Sequence, residues 1–355
     1  MMPHLLITGG CGFIGSNLAV ALRRAGHTVT CLDNLARRGS EVLLRRILDH
    51  GCQFVHGDVR NPEDLQRLQG DFHMMIECSA EPSVLVGSQG RDAAFLTANN
   101  LGGSLTCAEF VRQRGMGMLF LSTSRVYPYT LLNALRYRET ATRFEYDDQH
   151  PGVSDAGVRV EFPLEGRRTL YGATKLASEL VLQEYSQLYD LPLVINRCGV
   201  VAGPWQLGKV DQGVFTFWMA RHYFRQPLRY IGFGGAGKQV RDLLHIDDLV
   251  ALISTQLQRL SEFRGEVFNV GGSTYANLSL LETTLLCREI TGNRLDVGSD
   301  PQTRPGDVKW FITDTAATEA RFGWRPARGP REVLADTFEW LRSHEHAFRE
   351  VLGAA

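Results

Sequence analysis

The chain has 355 residues, a length that fits one large domain or two. Its 38 basic and 39 acidic side chains give a formal net charge of -1, which offers no basis for binding a nucleic-acid backbone or an anionic membrane. Hydrophobic residues make up 44% of the chain and charged residues 22%, as in globular rather than disordered proteins. No apolar stretch approaches the length of about 18 residues typical of a membrane span, and no signal-peptide pattern is seen. We therefore expect a cytoplasmic protein without a membrane partner.

The seven cysteines are scattered, odd in number and without C-x-x-C or zinc-ligand spacing. Most of them lie in apolar runs. We interpret them as small core residues in a reducing compartment, and we predict no metal site.

Short apolar runs alternate with segments of helical spacing in the first half of the chain. The runs that predict strands are residues 4–8, 27–33, 53–59, 73–80 and 116–124, and residues 16–25 have helical spacing. Nearly continuous apolar strands suit a parallel sheet that is buried on both faces. The pattern predicts an α/β fold with a doubly wound parallel sheet and right-handed βαβ units.

Residues 128–168 interrupt this alternation. The segment is polar, contains several arginines and has no clear period, and loops of this length are typical of functional lids or disorder. We therefore regard it as a candidate lid. From about residue 205 the sequence mixes short helices with glycine-rich turns (residues 232–238), and it ends in an amphipathic helix near 330–350.

A glycine-rich turn follows the first predicted strand. Residues 7–17 read ITGGCGFIGSN, which satisfies G-x-G-x-x-G from Gly10 and G-x-x-G-x-x-G from Gly9. Glycines permit a tight turn and the close approach of a pyrophosphate, and the following helix N-terminus supplies N–H groups and a positive dipole end. The motif predicts a dinucleotide site; the alternative is a glycine-rich turn without a ligand.

Acidic residues follow the next two predicted strands. Asp33 lies 18 residues after Gly15, where a carboxylate accepts hydrogen bonds from ribose hydroxyls and repels a 2′-phosphate. This favours NAD over NADP, although Arg37 and Arg38 leave NADP open, since they either hold a 2′-phosphate or begin a solvated helix. Asp58 stands where it would meet the adenine, or it is an ordinary turn residue.

A tyrosine and a lysine have the spacing of one helical turn. Tyr171 is followed by Lys175, and residues four apart lie on one face of a helix. An ammonium group in that position favours the phenolate, which can remove a proton from a sugar hydroxyl and return it later. Thr123 ends an apolar strand, where its hydroxyl either contacts the substrate oxygen or bonds to the backbone.

The order and spacing of several motifs resemble the extended short-chain dehydrogenase/reductase family. These motifs are GGCGFIG, Asp33-Asn34, NLGG (100–103), STSRVY (122–127), YGATK (171–175), Arg241-Asp242 and RPGD (304–307). The resemblance covers nearly the whole chain and implies a Rossmann domain over residues 1–200, with a contribution from about 240–270. It also implies a smaller C-terminal α/β domain over residues 201–355 that holds a nucleoside diphosphate sugar, and a homodimer.

Within this family the sequence is most similar to the subgroup of CDP-paratose 2-epimerases. The similarity lies in LLITGGCGFIGSN, LDNLARRG, FVHGDVRN, the insert with ETATRFEY, residues 211–213 and GKQVRDLLH. Thr123, Tyr171 and Lys175 would be catalytic. The last two would also line NAD, together with Gly9, Gly12, Phe13, Ile14, Gly15, Asp33, Asn34, Asp58, Val59 and Asn100. The substrate would be held by Thr123, Arg241, Arg304 and Asp307, because guanidinium groups match phosphate oxygens; the alternative for the last three is ion pairing.

The sequence departs from the family pattern at several positions. Pro128 replaces the glycine of V-Y-G, while Cys198 and Val200 replace an aromatic or histidine and an asparagine or serine. Because of these departures, the sequence does not specify which sugar the protein would bind. Glu81 either binds a sugar hydroxyl or begins a helix.

The predicted reaction is the NAD-dependent epimerisation of a nucleoside diphosphate sugar, with a CDP-sugar first and carbon 2 as the reacting carbon. A UDP-sugar 4-epimerase would use the same residues. A 4,6-dehydratase is disfavoured because that pattern has Asp-Glu after the threonine, where Ser124-Arg125 stands. A 3,5-epimerase would exchange ring protons with solvent, and a redox sensor or scaffold would not need Thr123, Tyr171 and Lys175.

Overall fold

The computed structural model describes residues 2–83, 92–208 and 213–352. The strands are β1 (His4–Thr8), β2 (Thr28–Asp33), β3 (Gln53–His56), β4 (Met74–Glu77), β5 (Gly117–Thr123), β6 (Tyr137–Glu139), β7 (Phe144–Tyr146), β8 (Val153–Ser154), β9 (Gly157–Val158), β10 (Leu193–Cys198), β11 (Val201–Ala202), β12 (Leu228–Ile231), β13 (Val240–Asp242), β14 (Leu244–His245), β15 (Arg264–Val270), β16 (Asn277–Ser279), β17 (Val297–Asp300) and β18 (Trp310–Phe311). The α-helices are α1 (Phe13–Arg24), α2 (Ser40–Asp49), α3 (Pro62–Gln66), α4 (Ala93–Thr97), α5 (Gly103–Arg114), α6 (Tyr129–Ala134), α7 (Leu170–Tyr189), α8 (Val214–Tyr223), α9 (Ile246–Gln258), α10 (Leu280–Thr291), α11 (Ala316–Phe322), α12 (Pro330–Ser343) and α13 (Glu345–Leu352). A π-helix, Ala98–Gly102, joins α4 to α5.

The chain divides into two compact units. Unit 1 contains the described residues of Met1–Thr123, Leu170–Arg197 and Val250–Phe268, and unit 2 those of Ser124–Thr169, Cys198–Leu249 and Asn269–Ala355. The predicted boundary at residue 200 would assign residues 124–169 to the first domain, whereas the structure groups them with unit 2.

Long-range contacts within unit 2 explain this grouping. Arg143, which precedes β7, donates a hydrogen bond of 2.8 Å to the carboxylate of Glu282 on α10. The N–H of Val158 on β9 donates to the carbonyl of Ile312 at 2.7 Å. Both contacts join residues that are more than a hundred positions apart, a distance at which sequence patterns carry no pairing information.

Unit 1 is built on a seven-stranded sheet in the order β15-β10-β5-β4-β1-β2-β3. Strand pairs β1–β2, β1–β4, β2–β3 and β4–β5 are parallel, and the five predicted strands are all present, so the predicted α/β fold with a doubly wound sheet is confirmed. The sheet order reverses between β1 and β4, and open α/β sheets bind ligands at the carboxyl ends of strands beside such a reversal.

The core of unit 1 lies between this sheet and helices α5 and α7. All residues of β5 are buried, as expected for a central strand covered on both faces. Phe120 on β5 packs in one cluster with Phe110 on α5 and Leu182 on α7. Burial of side chains of this size stabilises the unit by about 1.5–3 kcal/mol each.

Unit 2 contains small sheets and a group of helices. Its sheets pair β16-β13-β18, β12-β17, β11-β14, β6-β7 and β8-β9, and helices α8, α10 and α12 pack against one another. Residues 128–168, predicted as an irregular candidate lid, contain α6 and two antiparallel hairpins. Their strands have only two or three residues, too few for a period to be visible in the sequence.

The length and composition of the helices also bear on whether any of them could span a membrane. Within the described residues, no helix combines the length and the apolar composition that crossing a bilayer requires.

A buried ion pair ties α7 to β10 in unit 1. Arg197 donates to both carboxylate oxygens of Glu179, at 2.8 Å from Nη2 and 3.2 Å from Nε, and their side chains are only 6% and 1% exposed. The hydroxyl of Ser122 on β5 donates to the same carboxylate. Glu179 thus connects α7 with two neighbouring strands of the sheet.

We expect Arg197→Met to lower the free energy of unfolding by about 3–5 kcal/mol, because it leaves the Glu179 carboxylate buried without its cation. The measurement is urea denaturation followed by circular dichroism. Arg342→Met is the matched control, since Arg342 pairs with Glu339 at a position where the side chains are 63% and 55% exposed. The control should change stability by less than about 0.5 kcal/mol; equal losses in the two variants would contradict the expectation.

Candidate active site

The glycine motif forms the turn between β1 and α1. A Cβ added to Gly10 would lie 2.4 Å from the Cβ of Cys31 on β2, and one added to Gly15 would lie 2.2 Å from the carbonyl oxygen of Gly9. The turn therefore has no room for side chains at these positions. Gly12 is the N-cap of α1, so the helix begins at Phe13, three residues earlier than predicted.

The carboxylate of Asp33 joins this turn to the end of β2. Its Oδ2 accepts the N–H of Cys11 at 3.0 Å, and its Oδ1 accepts the N–H of Leu35 at 2.8 Å. Burial raises the pKa of Asp33, while these two backbone hydrogen bonds act in the opposite direction. Each carboxylate oxygen retains a second lone pair, which can accept a hydroxyl proton.

Asn34 and Asp58 lie together at the ends of β2 and β3. Asn34 donates to Asp58 Oδ2 at 2.9 Å, and Arg60 forms a two-point contact with the same carboxylate at 2.9 and 2.6 Å. The hydrogen bond from Arg60 is the main reason that the pKa of Asp58 falls to about 2. Val59 is buried beside them. Asp58 is therefore a negative charge that its neighbours hold in a fixed position.

Asn100 shapes the segment that follows β4. Its side-chain oxygen accepts the N–H of Glu81 at 2.8 Å, and its side-chain nitrogen donates to the carbonyl of Glu81 at 3.0 Å. The Glu81 carboxylate accepts the N–H of Ser83 at 3.1 Å, in a segment without helical structure. Residues 81–83 are not helical, and the backbone of Glu81 is held by the side chain of Asn100.

Thr123, Tyr171 and Lys175 all lie in unit 1. Thr123 is the last residue of β5, and Tyr171 and Lys175 are in the first turns of α7. Tyr171 is half-buried, whereas Lys175 is only 2% exposed. The Lys175 ammonium lies 3.8 Å from the centre of the Phe120 ring, three residues before Thr123 on the same strand. This contact places the side chain of Lys175 against β5, the strand that ends in Thr123.

The unit 1 residues predicted to line NAD fit that group. The glycine turn excludes side chains and lies at the N-terminus of α1, whose first turn carries no acidic residue to compete with a pyrophosphate. Gly9, Gly12, Phe13 and Ile14 are only partly buried, so they are accessible to a ligand. Asp33 follows at the end of the neighbouring strand, as a ribose-binding carboxylate requires.

Unit 2 contains a pocket that is partly open to solvent. Its lining includes the cationic side chains of Arg125, Arg168 and Arg241. Tyr127 and Phe311 provide aromatic surface. The other lining residues are Ser124, Tyr129, Leu132, Thr169, Val200, Gly306 and Val308. Guanidinium groups bind phosphate oxygens in a two-point geometry, and aromatic rings suit a base or a sugar, so the pocket has the chemistry of a site for an anionic, ring-containing ligand.

Two of the predicted substrate residues form a pair at this pocket. Arg241 donates to Asp307 at 2.5 Å, and the side chains are 11% and 24% exposed. The backbone carbonyl of Asp307 accepts Asn133, and the N–H of Asp307 closes the turn from Arg304 at 3.2 Å. Arg241 and Asp307 are thus ion-paired in a mostly buried position rather than on an open surface, and Arg241 also lines the pocket. Arg304 does not line the pocket.

Two of the pocket arginines, Arg125 and Arg168, were not predicted from the sequence as substrate-binding residues. Arg125 is held by a hydrogen bond of 3.1 Å from its Nη1 to the carbonyl of Gly306, and Arg168 comes from the end of the segment predicted as a lid. Only the departure from the dehydratase pattern after Thr123 hinted at Arg125. Of the departures from the family pattern, Val200 lines the pocket and Cys198 is buried. Asp211 and Gln212, part of the quoted resemblance, lie outside the described residues.

Known proteins resemble this chain over nearly its whole length. The sequence profile of the NAD dependent epimerase/dehydratase family matches residues 5–271. The CDP-paratose 2-epimerase of Salmonella typhi is 31% identical over 354 residues, which are 96% of this chain and 99% of that protein. The dTDP-glucose 4,6-dehydratase of Mycolicibacterium smegmatis is 27% identical over 355 residues, 98% of this chain and 95% of that protein.

A solved structure gives the same result for the fold. The UDP-glucose 4-epimerase of Thermus thermophilus, determined in complex with NAD, superposes with a TM-score of 0.77 at 28% identity and covers 96% of this chain and 99% of that one. The glycine turn, the Asp33 carboxylate and a profile match over three-quarters of the sequence agree. The chain belongs to the NAD dependent epimerase/dehydratase family.

Proposed function

We propose that this NAD-dependent enzyme epimerises a nucleoside diphosphate sugar, with carbon 2 as the first choice of reacting carbon and a CDP-sugar as the first choice of substrate. The observation that carries the proposal is the set of Thr123, Tyr171 and Lys175 on β5 and α7, in the unit that holds the glycine turn. The choice of carbon 2 and of CDP as the nucleotide is supported by the CDP-paratose 2-epimerase of Salmonella typhi, which is 31% identical over nearly the full length of both proteins.

The proposed division of labour follows the two units. Residues of unit 1 that surround the glycine turn would hold NAD, which supplies a hydride acceptor and donor when bound. The arginine pocket of unit 2 would hold the diphosphate, because its cationic groups match two phosphate charges. Each of two pocket arginines is close in sequence to a residue of the proposed chemistry, since Arg125 follows Thr123 by two residues and Arg168 precedes Tyr171 by three.

In the proposed chemistry, Tyr171 as the phenolate removes the proton of a ring hydroxyl and later returns it. Lys175, one helical turn away, favours the phenolate by its positive charge. Thr123 donates a hydrogen bond to the substrate oxygen and steadies it as a carbonyl develops. The substrate must stay bound while its sugar ring rotates to present the opposite face. Contacts to the diphosphate would hold it during this rotation.

A 4-epimerase is the second candidate, because Tyr171, Lys175 and Thr123 would serve it equally. A 4,6-dehydratase is disfavoured by Arg125, a permanent cation at a position where elimination of water needs an acid or a base. A homodimer, a cytoplasmic location and the lid role of residues 128–168 stay predictions.

The reacting carbon is tested by nuclear magnetic resonance with a panel of CDP-, UDP- and GDP-sugars in D₂O. We expect inversion at carbon 2 of a CDP-sugar, without deuterium at the ring carbons, because the hydrogen that leaves carbon 2 is the one that returns. Inversion at carbon 4 would replace the first choice by the second. Loss of water, or deuterium at carbons 3 and 5, would contradict epimerisation by this route.

Tyr171→Phe should lower kcat by about 10²–10⁴-fold, the usual contribution of a general base, while the purified protein keeps its bound NAD. Turnover is followed with the sugar identified in the panel, and NAD is measured after acid release. Tyr275→Phe is the control, since Tyr275 is 55% exposed and its hydroxyl bonds only weakly to Ala327 at 3.2 Å. Full activity in Tyr171→Phe would show that another group is the base.

Arg125→Gln and Arg168→Gln should each weaken the binding of CDP or UDP by about tenfold or more, corresponding to the loss of one charge-assisted contact. Isothermal titration calorimetry with the free nucleotide measures this without turnover. Arg159→Gln is the matched control in unit 2, because Arg159 is 50% exposed and lies outside the pocket. Unchanged affinity in both pocket variants would remove the pocket from the substrate site.

A further inference from the structure

A carboxylate lies at the end of β4, on the same side of the sheet as Lys175. Glu77 is 1% exposed, and both of its carboxylate oxygens lie within hydrogen-bonding distance of the Ser104 hydroxyl, at 3.0 and 3.1 Å. In the parallel register of β4 and β5, Glu77 is the partner of Phe120. Paired residues on neighbouring strands project to the same face of a sheet. Phe120 is the residue whose ring lies 3.8 Å from the Lys175 ammonium.

The charges of these two buried groups depend on each other. Burial raises the pKa of Glu77 to about 6, while the positive charge of Lys175 and the hydrogen bond from Ser104 act in the opposite direction. The Cys107 thiol on α5 also faces Glu77, and burial raises its pKa so far that it stays neutral. Thr8 on β1, which contacts Cys107, adds a hydroxyl without charge. Lys175 is therefore the charged neighbour that favours the ionised form of Glu77.

The same reasoning applies in reverse to Lys175. Burial disfavours the ammonium form of a lysine unless a negative charge lies close to it, and Lys175 is 2% exposed. The aromatic face of Phe120 favours the cation by only about 0.5–2 kcal/mol. A full negative charge nearby would stabilise the ammonium form more strongly than the aromatic ring does.

We propose that Glu77 is a positioning residue for the reaction, acting as a buried counter-ion that keeps Lys175 protonated and holds its ammonium group on α7 near Tyr171. This rests on the proposed roles of Tyr171 and Lys175. Glu77 does not contact substrate; it acts through the lysine, which in turn favours the phenolate of Tyr171.

The first test measures the titration of Tyr171 without turnover. The near-ultraviolet absorbance of phenolate is recorded against pH for each protein and for its Tyr171→Phe counterpart, so that the difference reports Tyr171 alone. We expect Glu77→Gln to raise the midpoint by about one pH unit, since a neutral Lys175 no longer favours the phenolate. Below the midpoint the phenolate population then falls about tenfold.

Three further variants separate charge from packing. Glu77→Asp retains the carboxylate and should shift the midpoint less than Glu77→Gln. Glu109→Gln removes a carboxylate of the same unit that is 39% exposed and pairs with Arg112, and it should leave the midpoint unchanged. In a Lys175→Met background, Glu77→Gln should have no effect. An unchanged or lowered midpoint in Glu77→Gln, or the same shift without Lys175, would overturn the proposal.

A second measurement covers the case in which Glu77→Gln does not fold. In Lys175→Met the buried carboxyl group should take up a proton at neutral pH, and infrared spectroscopy detects the C=O band of a protonated carboxylic acid. The band should be stronger in Lys175→Met than in the wild-type protein, and a band of equal strength in the two proteins would overturn the proposal. Neither measurement uses a sugar, so a wrong assignment of the reaction would not be confused with a wrong assignment of Glu77.

Discussion

Two buried ionisable residues on α7 pack against the sheet of unit 1. Lys175 and Glu179 lie one helical turn apart and are 2% and 1% exposed. Lys175 contacts Phe120 of β5, and Glu179 contacts Ser122 of β5 and Arg197 of β10. Charges of this kind are stable in a protein interior only with partners in good geometry, because the cost of desolvation is several kcal/mol for each ion. The ion pair of Glu179 with Arg197 therefore helps to fix the rotational setting of α7, and the position of Tyr171 on this helix follows from that setting.

The need to give buried charges polar partners explains the polar residues in the neighbouring strands. Central parallel strands are normally apolar throughout, yet β4 ends in Glu77, β10 contains Arg197, and β5 places Ser122 next to Thr123. Glu77, Arg197 and Ser122 each contact Ser104 or Glu179, and Glu77 also faces Lys175. These polar residues of the sheet thus occur where α5 and α7 offer partners.

Much of unit 1 could be predicted from the sequence because its signals are local. The strands are continuous apolar runs, the glycine turn has a fixed spacing, and Asp33 ends a strand at the expected interval. Unit 2 was harder to predict. Strands β6 to β9 have two or three residues each, and their pairing depends on contacts such as Arg143 to Glu282 that no local pattern encodes. The same limit applies to individual residues: Tyr171 and Lys175 share a helical turn, so their spacing is visible in the sequence, whereas Arg125 and Arg168 come together only in the lining of the folded pocket.

The choice of reaction depends on how many proton-transfer groups the strand end provides. Epimerisation through a ketone needs one group that removes and returns a hydroxyl proton, together with a donor to the oxygen. Elimination of water needs further acid and base groups. After Thr123 the chain offers a hydroxyl at Ser124 and a guanidinium at Arg125, whose proton does not leave at neutral pH. Because Arg125 is also held at the pocket wall, this segment is suited to binding an anion rather than to moving protons, which supports the proposed epimerisation over elimination.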